Sequence, residues 1–139
     1  MFSHISVGCD DLDAAGRFYD AVLAPLGLVR RPVTPDDGPL ALCWVAPRDV
    51  LPRFYVYQPF DGRPATPGNG AMTAFLSPSR EAVDVAHAAG LRVGGSDEGA
   101  PGERPRYGHG YHGAYLRDPG GNKLHVVYRG DLRDGGTVT

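Results

Sequence analysis

Apolar and polar residues alternate at the start of the chain and again near residue 70, and each time the alternation gives way to helical spacing. Over residues 2–7, Ile5 and Val7 share one side and His4 and Ser6 the other, the period-two pattern of a half-buried strand. Leu12, Ala15, Tyr19, Val22, Leu23 and Leu26 then recur at helical spacing, with Asp10 or Asp11 as N-cap, Gly27 as the stop and Pro25 shortening the last turn. Short apolar runs over 40–45 and 54–58, separated by Pro, Asp and Gly, read as an antiparallel meander.

The order repeats. Residues 70–76 set Thr73 and Phe75 against Met72 and Ala74; Ser77-Pro78-Ser79 caps a helix lined by Val83, Ala86 and Ala89 and stopped by Gly90. Strands are expected near 91–94 and over 111–117 and 123–128. Element order rather than residue identity carries the repeat, a duplicated βαβββ unit: one domain over 1–139, with modules of about 1–60 and 70–130 joined by the Pro- and Gly-rich residues 59–69. Residues 94–110 read as a long loop bearing Arg104, Arg106 and Tyr107, either a surface excursion or a lid.

The sharpest local signal is Arg117-Asp118-Pro119-Gly120-Gly121-Asn122, a tight turn between two strands. After it, Leu124, Val126 and Tyr128 fall on one face and Lys123, His125 and Val127 on the other, which aims His125 away from the apolar core.

At 139 residues and 42% hydrophobic content the chain suits one compact core. A net charge of -2 with scattered basic residues offers no footprint for nucleic acid or an anionic membrane, and a small uncharged ligand is the more natural partner. Cys9 and Cys43 lack metal-type spacing, and residues 1–4 carry neither a basic stretch nor a long apolar run, so a cytoplasmic setting with reduced thiols is expected. Without a base beside it Cys9 reads as a structural thiol, and His87 as a solvated group on the second helix.

His4 on the first strand, Phe18-Tyr19-Asp20-Ala21-Val22-Leu23 leading to Leu26-Gly27-Leu28, Gly70-Ala71-Met72-Thr73-Ala74-Phe75, and Tyr115-Leu116 running into the Asp118-Pro119-Gly120-Gly121-Asn122 turn together resemble the vicinal oxygen chelate superfamily of glyoxalase, bleomycin-resistance and dioxygenase proteins. The resemblance implies an α+β fold in which two βαβββ modules form a curved, mostly antiparallel eight-stranded sheet around a cavity, helices on the convex face, often within a homodimer. In metal-dependent members, two imidazoles and a carboxylate project from the first strand of each module and from the last strand. The matching positions here are His4, Met72 and His125, so the carboxylate is missing and Met72 is a soft ligand ill suited to Zn, Ni or Fe.

Two functions follow. One is a small-molecule binding protein whose metal site has degenerated, with Trp44, Tyr55, Tyr57, Met72, Tyr111 and Tyr115 supplying apolar area and His4, His125 and Arg104 orienting the ligand. The other is a metal-dependent lyase, isomerase or dioxygenase acting on a small organic substrate, with His4 and His125 holding Zn, Ni, Mn or Fe and Tyr55 or Tyr57, water, or His109 or His112 completing the shell. No cofactor is required by the first.

Overall fold

The computed structural model describes residues 1–133, and in it one order of elements occurs twice. The first unit comprises β1 (His4–Gly8), α1 (Leu12–Leu23), β2 (Val29–Arg31), β3 (Ala41–Val45) and β4 (Arg53–Tyr57). The second comprises β5 (Thr73–Leu76), α2 (Arg80–Arg92), β6 (Ser96–Glu103), β7 (Tyr111–Arg117) and β8 (Lys123–Arg129), followed by the one-turn α3 (Gly130–Arg133). Each unit builds a four-stranded sheet of the same topology, β1-β4-β3-β2 and β5-β8-β7-β6. In both, the first strand lies at an edge, parallel to the fourth, while the other pairs are antiparallel.

The expected α+β class and duplication are thus present, but the strands are hydrogen-bonded as two sheets rather than as one of eight strands. Side chains, not a backbone ladder, join them where they meet. Phe54 and Phe75 pack edge to face with ring centroids 5.0 Å apart, beside an apolar groove of about 570 Å³ lined by Phe2, Ile5, Leu28, Ala74 and Leu76 among others.

Helix α1 forms where its apolar stripe and cap coincide: the Asp11 carboxylate accepts from Ala14 N at 3.0 Å, and after a 3-10 turn (Ala24–Leu26) Gly27 adopts φ +85. Its stripe of Phe18, Tyr19, Val22 and Leu23 packs with Trp44, Phe54 and Val56 of the first sheet, and the cluster continues through Phe75, Val83, Ala86, Leu116, Leu124 and Val126. One core therefore spans both units. Among the described residues no helix is long and apolar enough to cross a membrane.

Three expectations in the second unit need correction. Gly90 does not stop α2, which runs on to Arg92. A Cβ at Gly90 would sit 3.0 to 3.1 Å from Leu116, Val22 and Phe18, so its glycine permits close packing of α2 against β7 and α1, and the turn after the helix is made by Gly94 at φ +88. No strand forms over 91–94; instead nearly half of the supposed 94–110 loop, Ser96–Glu103, is β6, paired with β7 in an irregular register from Ser96↔Arg117 to Glu103↔His112. Its Gly-rich polar sequence hides an edge strand, because backbone pairing to β7 supplies what apolar alternation does not. Finally, His87 is buried rather than solvated: Nε2 lies 2.9 Å from Asp97 Oδ1 on β6, and this hydrogen bond, the largest influence there, lowers the Asp97 pKa.

The 118–122 turn reaches further than a hairpin. Asp118 is buried and accepts from Tyr19 Oη at 2.7 Å, Asn122 N at 2.9 Å, Asn122 Nδ2 at 2.9 Å and Gly120 N at 3.0 Å. Asn122 Nδ2 also donates to Gly8 O at 2.8 Å, so the turn between β7 and β8 is tied to both β1 and α1 of the other unit.

Candidate ligand-binding site

In the first unit the strand register assigns faces. Cys43 pairs with Arg31 and with Tyr55, and Tyr55 with Ser6, so these four side chains form a row across the sheet; His4 and Arg53 are paired beside it. The other face carries Phe54, Val56 and Trp44 into the α1 core. The outer row is the floor of an open groove of about 510 Å³, walled by Pro32, Val33, Thr34, Asp36 and Pro39 and lined also by Tyr57. Arg53 Nη1 donates to Tyr55 Oη at 3.3 Å and Nε to Val50 O at 2.9 Å, while His4 sits edge-on to Tyr55 at 5.6 Å and pairs through Nδ1 with Ser3 Oγ at 3.0 Å.

The corresponding face of the second unit is filled. His125 stacks on Tyr115 with centroids 4.0 Å apart and lies 5.8 Å from Tyr111. Gly113 makes the stack possible, since a Cβ there would be 2.5 Å from His125 Cε1. The imidazole Nδ1 is 2.8 Å from Ala114 O, which can only accept, so Nδ1 carries the proton and Nε2 accepts from Tyr111 Oη at 2.7 Å. Burial lowers the His125 pKa, the Ala114 hydrogen bond opposes that, and Arg104 and Lys123 reinforce it, so the ring is neutral. Burial also raises the Tyr111 hydroxyl. Around the stack lie Lys123 Nζ and the Arg104 guanidinium, 5.3 and 5.9 Å from the Tyr115 ring, and Arg129, 5.0 Å from Tyr111.

The expected site residues thus fall in separate places. His4, Tyr55 and Tyr57 line the first groove; Tyr111, Tyr115, His125 and Arg104 form the stack; Met72 borders a different hollow with Pro67, Asn69, Arg117 and Lys123. Trp44 lines neither face: Trp44↔Phe54 pairing turns it into the core, where Nε1 donates to Asp20 at 3.0 Å. His112 faces α2 instead of the stack, with Nε2 3.0 Å from Asp84 Oδ1, because its parity on β7 is opposite to that of Tyr111. Arg31, Arg53, Ser6 and Cys43 were missed. Arg53 could have been found, since it shares its parity with Tyr55 and Tyr57.

A metal would need donors that these residues do not offer. Among the described residues no three His, Cys, Asp or Glu side chains converge, and both nitrogens of His125 are already committed.

This architecture has close counterparts. A glyoxalase/bleomycin resistance protein from Albidiferax ferrireducens T118 superposes with a TM-score of 0.76 at 38% identity, over 93% of this chain and 98% of that one. The chain belongs to the glyoxalase/bleomycin resistance protein family. More distant members share the fold: a glyoxalase-related enzyme from Fulvimarina pelagi (18% identity, 100% of this chain, 96% of that one, TM-score 0.68) and a lactoylglutathione lyase from Agrobacterium tumefaciens (19% identity, 93% of each, TM-score 0.62). No family sequence profile and no curated protein matches this member, so the assignment rests on the structural relatives. Their fold names no activity for it.

Proposed function

We propose that this family member binds a small organic molecule on its concave faces without a metal. The observation that carries this is the state of His125: at the place where the resemblance expects a metal-binding carboxylate stands a neutral imidazole, stacked on Tyr115, with one nitrogen donating to Ala114 O and the other accepting from Tyr111. Releasing Nε2 to a metal would strand the half-buried Tyr111 hydroxyl without its acceptor. His4, Tyr55 and Tyr57 on one side and Tyr111, Tyr115, Arg104 and Met72 on the other are the ligand contacts in this reading. The 510 Å³ groove supports it, being within the roughly 300 to 1,000 Å³ of ordinary ligand sites.

We further propose a cytoplasmic homodimer in which the groove of one copy is closed by the tyrosine stack of the other. The groove is lined wholly by residues of the first unit, which supports a cover supplied from elsewhere.

Metal analysis of untagged protein together with calorimetry against Ni(II) and Zn(II) at neutral pH tests the central reading. Weak, non-stoichiometric binding is expected. Tight one-to-one binding abolished by His4→Ala or His125→Ala would overturn it in favour of the metal-dependent lyase, isomerase or dioxygenase. Sedimentation at micromolar concentration tests the dimer, and a monomer would remove it.

A further inference from the structure

The groove of the first unit carries a charge pattern that the whole-chain balance conceals. Arg31 is half-buried at the edge of its floor and its side chain has no hydrogen-bond or ion-pair partner among the described residues, whereas Arg30 next to it is paired with Asp20 at 2.8 Å across the sheet's other face. A half-buried guanidinium in an open groove with no protein acceptor keeps its donors free for water or for an anionic ligand that displaces it. Arg53 adds a second cation, its Nε and Nη1 held by Val50 O and Tyr55 Oη, which leaves Nη2 unengaged among the described residues. Because Tyr55 Oη accepts from Arg53, its own proton is free to donate into the groove.

The acidic group facing these is Asp36, and it is turned back on its own loop, Oδ1 accepting from Gly38 N at 2.9 Å. Two guanidiniums against one carboxylate leave the groove with one excess positive charge, enough to balance a monoanion but not a dianion. Strand spacing sets the scale. Arg31 on β2 and Arg53 on β4 are two strands apart, about 10 Å, and about 7 Å along the sheet, so both arms reach a single small ligand lying over Cys43 and Tyr55.

We propose that this groove recognises a monocarboxylate carried on a planar hydrophobic body, the carboxylate bidentate on Arg31 with Arg53 and the Tyr55 hydroxyl beside it, and the body against Tyr57, Pro32 and Val33. This rests on the ligand-binding reading above and replaces the uncharged ligand that net charge alone suggests. A guanidinium fork matches carboxylate geometry, and a charged hydrogen bond of this kind is worth about 10- to 100-fold in affinity.

Calorimetry with 2-naphthoate and its neutral counterpart 2-naphthamide tests it on the intact chain. Naphthoate should bind at least about tenfold more tightly, weakening as salt rises. Arg31→Gln should erase the preference, Arg31→Lys should keep part of it, and Arg92→Gln, on an exposed position of α2, should leave it untouched. Equal affinity of wild type for the two probes, or a preference that survives Arg31→Gln, overturns the anion site while leaving a ligand cavity in place. Failure of both probes to bind at millimolar concentration overturns the ligand-binding reading as well. The wild-type comparison decides even if Arg31→Gln does not fold.

Discussion

Asp118→Ala should be among the most damaging single changes available to this protein, although it touches no groove. The carboxylate is 4% exposed and takes four donors; Gly120 is exposed, so its N–H turns to water, but Tyr19 Oη and Asn122 N lose their acceptor in a buried site and Asn122 Nδ2 keeps only Gly8 O. Each buried orphan costs about 1 to 3 kcal/mol, and some repair by an entering water is expected, so the net loss should be about 3 to 5 kcal/mol. For a chain of this size that is a fall in Tm of roughly 10 °C or more. Tyr19→Phe removes one donor and leaves the carboxylate three others, so it should cost only about 1 to 2 kcal/mol. Urea denaturation of the two single variants and the double variant measures both terms, and the double should fall short of additivity because one hydrogen bond is shared. An Asp118→Ala loss below about 1 kcal/mol, or one no greater than that of Tyr19→Phe, would refute the idea that this turn fastens the two units together.

Stability should also depend on pH through His125. Its pKa is lowered from 6.5 in the folded state, so the unfolded chain takes up the proton first; the stability is complete above that value and is lost as the pH falls through it. Thermal melts at several pH values should show a slope near pH 6 that shrinks in His125→Gln, and an unchanged slope would contradict the buried neutral ring. Burial, with Asp118, Asp10 and Asp11 adding to it, pushes the Cys9 thiol up to about 11, so in a Cys43→Ala background native protein at pH 8 should resist a maleimide until it is unfolded, and labelling within minutes would refute this.

What the sequence determined by itself is the set of elements that rest on local physics. The period-two and helical stripes of β1 and α1, a cap at Asp10 or Asp11 and another within Ser77-Pro78-Ser79, which the structure resolves to Asp11 and Ser79, and the Asp-Pro-Gly-Gly-Asn turn each specify a conformation through their own side chains and backbone, and they carry the family resemblance with them. The parity of His125 was readable for the same reason: its strand alternates against an apolar face.

Tertiary structure decided what local pattern leaves degenerate. In β3 the run Ala-Leu-Cys-Trp-Val is apolar on both faces, so only pairing with β2 and β4 sends Trp44 to the core and Cys43 to the groove, and Arg31 joins the groove through that same register. β6 exists because β7 offers it a ladder, and Gly90 lies inside a helix because three side chains from two other elements leave no room for a Cβ. The closed state of His125 depends on Gly113, Tyr111 and Ala114, a strand away and more than ten positions distant, and no periodicity within β8 encodes those contacts. A residue's face follows from its own strand, but its partners follow from the strand beside it, and those partners fixed the chemistry here.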